Sequence, residues 1–202
     1  MRRSMFKLIV GAALFGIAVW SGYEWLRPVD EVALTLNEPY ELVRERSGFI
    51  LPPAEENMAW VGAVSHPARF RLFELERGFV TPPAKFLAVT YDQHGLVDGV
   101  RLSPQVEPLP LDESLAIVRN LQDQLYRGWK PFSSSDSRPI RNDVATRDAI
   151  RNCDDPTSRW NAGDRMQITI DIRCFRTEGH PDRERYLITL VLTRPWITDD
   201  RD

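Results

Sequence analysis

The run from Leu8 to Tyr23, LIVGAALFGIAVWSGY, contains no charged residue, and it constrains this chain more than any other feature. As a helix rising about 1.5 Å per residue, a run of about 16 residues reaches roughly 24 Å, enough at the short end to cross the hydrocarbon core of a bilayer. Arg2, Arg3 and Lys7 precede it, while Glu24, Asp30 and Glu31 follow it. Basic residues stay on the cytoplasmic side, so the asymmetry predicts an N-terminus inside and everything after the run outside. Trp20, Tyr23 and Trp25 gather at the far end, where amphipathic rings settle at the headgroup level. The expected organisation is a cytoplasmic stub and signal-anchor helix over residues 1–27, lying in the lipid bilayer through residues 8–25. An exported soluble domain follows over 28–202. In a bacterium this is a single-pass inner-membrane protein with its C-terminal domain in the periplasm.

A cleaved secretory signal has the same ingredients: a basic start, an apolar core and small residues nearby. Here Val19 and Ser21 hold the small-residue positions with Trp20 between them, and no A-x-A pattern occurs. The apolar run also exceeds the usual length of about 7–15 residues, so retention as an anchor is expected. Under either reading the domain leaves the cytoplasm.

The whole chain is 43% hydrophobic and 27% charged, near the average for a soluble globular protein. Its formal charge is -3, and residues 1–27 carry Arg2, Arg3, Lys7 and Arg27 against Glu24 alone, so the exported part is more acidic than that total. Binding to nucleic acid needs concentrated basic charge to release counterions from phosphate, and no arginine-rich arm or aromatic-basic motif is present. No nucleic-acid partner is expected.

Cys153 and Cys174 are the only cysteines, an even count in a domain expected to face an oxidising compartment. A disulfide between them closes a loop of about 21 residues, worth about 3 kcal/mol in the loop-entropy account. Their spacing is not C-x-x-C, and His180 alone does not complete a zinc set, so a redox or metal role is not expected.

Local patterns outline the exported part. Ala33 to Leu36 reads as a strand, and Asn37 as the cap of a short helix ending at Gly48. Residues 51–65 read as an irregular connection and Arg69 to Leu75 as a strand. Phe86 to Tyr91 and Leu96 to Leu102 flank Asp92-Gln93-His94-Gly95, whose composition suggests a hairpin turn. Leu111, Leu115, Val118, Leu121, Leu125 and Trp129 recur at helical steps along one face, with Asp112 and Glu113 at the positive start and Gly128 at the stop. A weaker helix covers Asp143 to Asn152. Met166, Ile168, Ile170, Ile172 and Cys174 alternate with polar residues, the period of a half-buried strand. Tyr186 to Thr193 is a more central strand, joined to it by a long loop over Thr177 to Arg185.

Hairpin-paired strands with helices before and between them predict an α+β domain, an antiparallel sheet with helices packed on one face. Two similar halves, 33–105 and 106–202, are discernible in the order of elements. In outline the arrangement resembles small exported helix-plus-sheet binding domains of the beta-lactamase-inhibitor or outer-membrane-assembly lipoprotein type, and that resemblance implies protein recognition.

Signs of chemistry are sparse. His66, His94 and His180 fall in expected loops without metal-ligand spacing, and the nucleophile-elbow and glycine-rich phosphate motifs are absent. No catalytic residue, metal or cofactor is expected. Asp154-Asp155 before Pro156 reads as a turn, and Asp199-Asp200 as a solvated tail. Among Trp60, Trp129, Trp160 and Trp196, Trp129 continues an apolar helix face. Trp160, between Arg159 and Asn161 in an expected loop, is the candidate exposed binding anchor. The sequence therefore favours a membrane-tethered module that recognises another envelope protein, as an inhibitor, an immunity-type protein or an accessory subunit. The alternative is a small envelope hydrolase using carboxylates or a histidine.

Overall fold

Alternation builds the sheet of this protein and decides which of its sides is buried. The computed structural model describes residues 29–55, 58–177 and 180–197, and the side chains of 184–197 and of all described residues before 176. The elements run β1 (Glu31–Leu34), α1 (Tyr40–Arg46), β2 (Trp60–Ala63), β3 (Arg69–Leu72), β4 (Phe86–Tyr91), β5 (Val97–Ser103), α2 (Leu111–Leu125), β6 (Lys130–Pro131), α3 (Val144–Arg151), β7 (Thr157–Ala162), β8 (Met166–Thr177) and β9 (His180–Thr193). Among the described residues this is an α+β fold with three helices and a seven-stranded antiparallel sheet of order β2-β4-β5-β9-β8-β7-β6. A separate parallel pair, β1-β3, lies outside that sheet.

Two three-stranded antiparallel ladders, β2-β4-β5 and β7-β8-β9, join through their last strands. Gly99 pairs with Thr193, Val100 with Leu192, Arg101 with Val191 and Leu102 with Leu190. The inward residues of this seam, Val100, Leu102, Leu190 and Leu192, are buried. They share one core with Ile168, Ile170 and Ile172 of β8 and with Leu115, Val118, Leu121 and Leu125 of α2. Burying each such side chain is worth about 1.5–3 kcal/mol, so this common core is the main source of stability. Cys153 and Cys174 form a disulfide that ties the turn after α3 to β8.

Several segments differ from their sequence pattern, each for a local reason. Asn37 does not cap α1: its φ is 65°, its N–H donates to Val97 O at 2.8 Å, and the helix starts after Pro39. The strand read from Arg69 to Leu75 stops at Leu72, where the chain turns through a Gly78 N–H to Glu74 O bond of 3.1 Å. Residues 51–65 contain a strand, β2, whose glycine obscures it. Gly62 is required there because the Tyr40 hydroxyl occupies the space a Cβ would need. The loop expected over Thr177 to Arg185 is largely strand, since Thr177 pairs directly with His180 and places His180 at the start of β9. Trp160, expected in a loop, lies in β7, whose Ser158, Trp160 and Ala162 face inward. The apolar run with Trp20, Tyr23 and Trp25 lies outside the described residues, among which no helix is long and apolar enough to cross a membrane.

Three glutamine side chains stand in for peptide groups where a ladder or loop would otherwise end unpaired. Gln105 Nε2 donates to Tyr186 O at 2.9 Å while its Oε1 accepts from Ile188 N at 2.8 Å, carrying the β9 ladder past the end of β5. Gln122 holds Ile140 in the same two-handed way, and Gln124 holds Val80. A buried peptide N–H or C=O left without a partner costs about 1–3 kcal/mol. Gln105→Leu orphans the buried Ile188 N–H, while Tyr186 O keeps the Leu109 N–H at 3.1 Å, so we expect it to lower stability by about 1–3 kcal/mol in urea unfolding at unchanged m value. A loss below about 0.5 kcal/mol would show that the bridging amide is not what completes the sheet.

Candidate functional site

Two adjacent residues in one strand always point to opposite faces, and this rule relocates the expected binding residue. Trp160 is 0% exposed. Its indole meets Tyr126 edge-on at 4.8 Å between centroids, and its Nε1 donates to Ser158 Oγ at 3.4 Å. The polar neighbours Arg159 and Asn161 indicate alternation rather than a solvated loop. Trp160 is therefore a core residue and not an exposed anchor. Among the described residues the exposed tryptophan is Trp196, 66% accessible, in the segment after β9.

Trp196 marks the side of the sheet opposite the shared core. Register brings Ala63, Ala88, Arg101, Val191, Thr169 and Arg159 side by side across β2, β4, β5, β9, β8 and β7 on that side. Arg159 lies 5.9 Å from the Trp196 ring centroid, as a cation over the indole face. Gln167 Nε2 donates to Ile197 O at 2.8 Å and to Asn161 Oδ1 at 2.9 Å, so the segment after β9 is strapped to this side. Further along, Leu187 pairs with Arg173 and Arg185 with Phe175. Phe86, on β4, and Phe175, on β8, are exposed on the face. Asp171, an acid on this face, accepts from Thr157 Oγ1 at 2.7 Å and lies 3.8 Å from Arg173. Sheet neighbours are about 4.8 Å apart, so seven strands span roughly 29 Å, and with about 20 Å of strand length the face offers on the order of 600 Å². That is close to one partner's share of a standard protein interface, about 800 Å².

Clefts elsewhere are lined by groups already committed to structure. A cleft of about 530 Å³ brings Asp136, Arg138, Arg141, Asp143, Asp154 and Asp155 together. Asp143 caps α3 by accepting from Thr146 N at 2.9 Å, and that bond holds its carboxyl below the usual range. Cys153 and Asp155 have φ of 63° and 38°, so Asp154-Asp155 is the tight turn leading from α3 into β7. A second cleft, of about 640 Å³, includes Trp60, Tyr91, Asp92, His94, Asp98 and Arg194. Asp92 accepts from Leu96 N at 3.0 Å and from His94 N at 2.9 Å, bonds that lower its carboxyl and close the hairpin turn holding His94. Burial raises the Tyr40 and Tyr91 hydroxyls, which stay protonated at neutral pH.

His66 does meet an acid and a hydroxyl. Its Nε2 is 2.6 Å from Asp30 and its Nδ1 is 3.0 Å from Ser65 Oγ. Both His66 and Asp30 are well exposed, and neither lines the clefts above. Among the described residues, no group of three His, Cys, Asp or Glu side chains could hold a metal ion.

No known protein family, curated protein or solved structure matches the chain. The open face escaped sequence reading because its members come from six strands and meet only through register. Trp196 itself was visible in the sequence, but no periodic pattern surrounds it to show which way it points. The two tryptophans have opposite expected behaviour. Trp160→Ala should cost about 3–5 kcal/mol in chemical unfolding. Trp196→Ala should change stability by less than about 0.5 kcal/mol. Equal losses would contradict the assignment of core and surface.

Proposed function

We propose that this protein is a membrane-anchored binding module whose exported domain docks another envelope protein through the open side of its sheet, as an inhibitor, an immunity-type protein or an accessory subunit. The observation that carries this reading is the contrast between the two sides. One is filled by the shared core, with the helices covering it. The other leaves Trp196, Phe86, Phe175, Arg101 and Arg173 exposed across an interface-sized area. Aromatic and arginine side chains are the residue types that dominate binding energy when a partner desolvates them. The anchor read at residues 8–25 would hold this face close to the outer surface of the inner membrane, raising its effective concentration toward other envelope proteins. The alternative of a small hydrolase has one support, the hydrogen-bonded Ser65, His66 and Asp30. Hydrolysis of a small ester that vanishes in Ser65→Ala would favour it.

Site-specific photocrosslinking in intact cells tests the docking proposal. We expect benzoylphenylalanine placed at Phe86 or Phe175 of the full chain to give a discrete protein adduct on the exported side. The same group at Val144, exposed on α3, should give none. Equal labelling from all three positions, or none from either phenylalanine, would contradict it.

A further inference from the structure

We infer that the partner of the open face is an acidic protein surface, recognised by the arginines that this side of the sheet displays. The inference rests on the docking role proposed above and specifies its chemistry. Arg101, Arg159, Arg173 and Arg185 all stand on this side, and Asp171, paired with Thr157 and Thr189, stands among them. The chain as a whole carries a formal charge of -3, so the basic face is a local reversal of the protein's own charge.

The arginines are poorly neutralised within the molecule. Arg101 is exposed and forms no hydrogen bond or ion pair among the described residues. Arg173 shares Asp171, at 3.8 Å, with Thr157. Arg185 spends one nitrogen on the neighbouring Glu184 carbonyl at 2.9 Å. Arg159 donates through Nη1 to the neutral Ser137 hydroxyl, and its Nε is buried without a partner. Because Phe175 pairs with Arg185, Arg173 is the diagonal neighbour of Arg185 on the same face. Diagonal neighbours lie about 7–8 Å apart, and like charges so placed oppose the sheet they stand on. An arrangement that costs the free protein stability is repaid when carboxylates of a partner lie between the guanidinium groups, where planar two-point hydrogen bonding favours arginine.

Spacing and composition distinguish a protein partner from a lipid or nucleic-acid one. Arg101 and Arg159 occupy one row three strands apart, about 14 Å, too far to hold a single phosphate together. Val191 and Thr169 fill the interval between them. Arginine with aromatic residues is the composition of protein interfaces, in which lysine is depleted. Membrane-surface binding instead uses a continuous apolar stripe beside lysine and arginine, whereas threonines and Asp171 occupy the middle of this face.

The test uses the full chain in neutral detergent, with poly-L-glutamate, phosphatidylglycerol vesicles and duplex DNA as probes. We expect poly-L-glutamate to bind and to perturb Trp196 fluorescence, with affinity falling as salt is raised. Arg101→Glu with Arg173→Glu should weaken that binding at least tenfold, and Arg101→Gln with Arg173→Gln should weaken it less without setting a new carboxylate beside Asp171. Arg119→Glu, on exposed α2 surface, should leave it unchanged. Absence of binding, equal binding by all variants, or binding of vesicles or DNA at least as tight as that of poly-L-glutamate through the same arginines would overturn the inference. Crosslinking separates this result from the docking proposal. An adduct from Phe175 that survives the double reversal keeps docking and removes the acidic partner, whereas no adduct in the unmodified chain removes docking itself.

Discussion

Pairing between β5 and β9 is the constraint on which the rest of the structure depends. Each strand ends a three-stranded ladder built from nearby sequence, and neither ladder can complete the core unaided. The four residue pairs from Gly99–Thr193 to Leu102–Leu190 bring the ladders into one sheet, and they set the register of every row that crosses it. Gln105 extends the contact where β5 ends, supplying the acceptor that Ile188 N requires and a second donor to Tyr186 O. Near this seam, Gly99 is held to a glycine's size, since an added Cβ would meet Leu192 O at 2.9 Å.

The same register produces the difference between the two faces. On the inner side it aligns Val100, Leu192 and Ile168, then Leu102, Leu190 and Ile170, in apolar rows that α2 covers. On the outer side it aligns Arg101, Val191 and Thr169, which no helix can cover without burying an unpaired guanidinium. The exposed side is therefore a consequence of sequence and pairing together. Short edge strands protect the sheet itself: β6 has two residues, one of them Pro131, and offers little for another strand to extend.

How much was legible in the sequence depended on the range of the signal. The α2 face from Leu111 to Leu125 repeats over several turns, and the structure buries those leucines and Val118. The hairpin at Asp92–Gly95, the alternating β8 and the cystine pair are also short-range or strongly periodic, and each is present. β7 was obscured because TSRWNA has apolar residues only at Trp160 and Ala162, too few to establish a period. β2 was obscured by Gly62, whose place in a strand follows from Tyr40, a residue 22 positions away on α1. The parallel β1-β3 pair and the two-handed glutamines are long-range contacts with no local signature. Trp160 reads as exposed unless β7 is recognised, because a tryptophan between polar neighbours is exposed in a loop and buried in a strand.

Native-state hydrogen exchange tests the central claim most directly, that the β5–β9 seam makes the two ladders one cooperative structure. The amides of Gly99–Leu102 and Leu190–Thr193 should exchange only through the same global opening that releases β7 and α2. If β2, β4 and β5 opened together at a lower free energy while β7, β8 and β9 stayed protected, the seam would not be the element that holds the fold together.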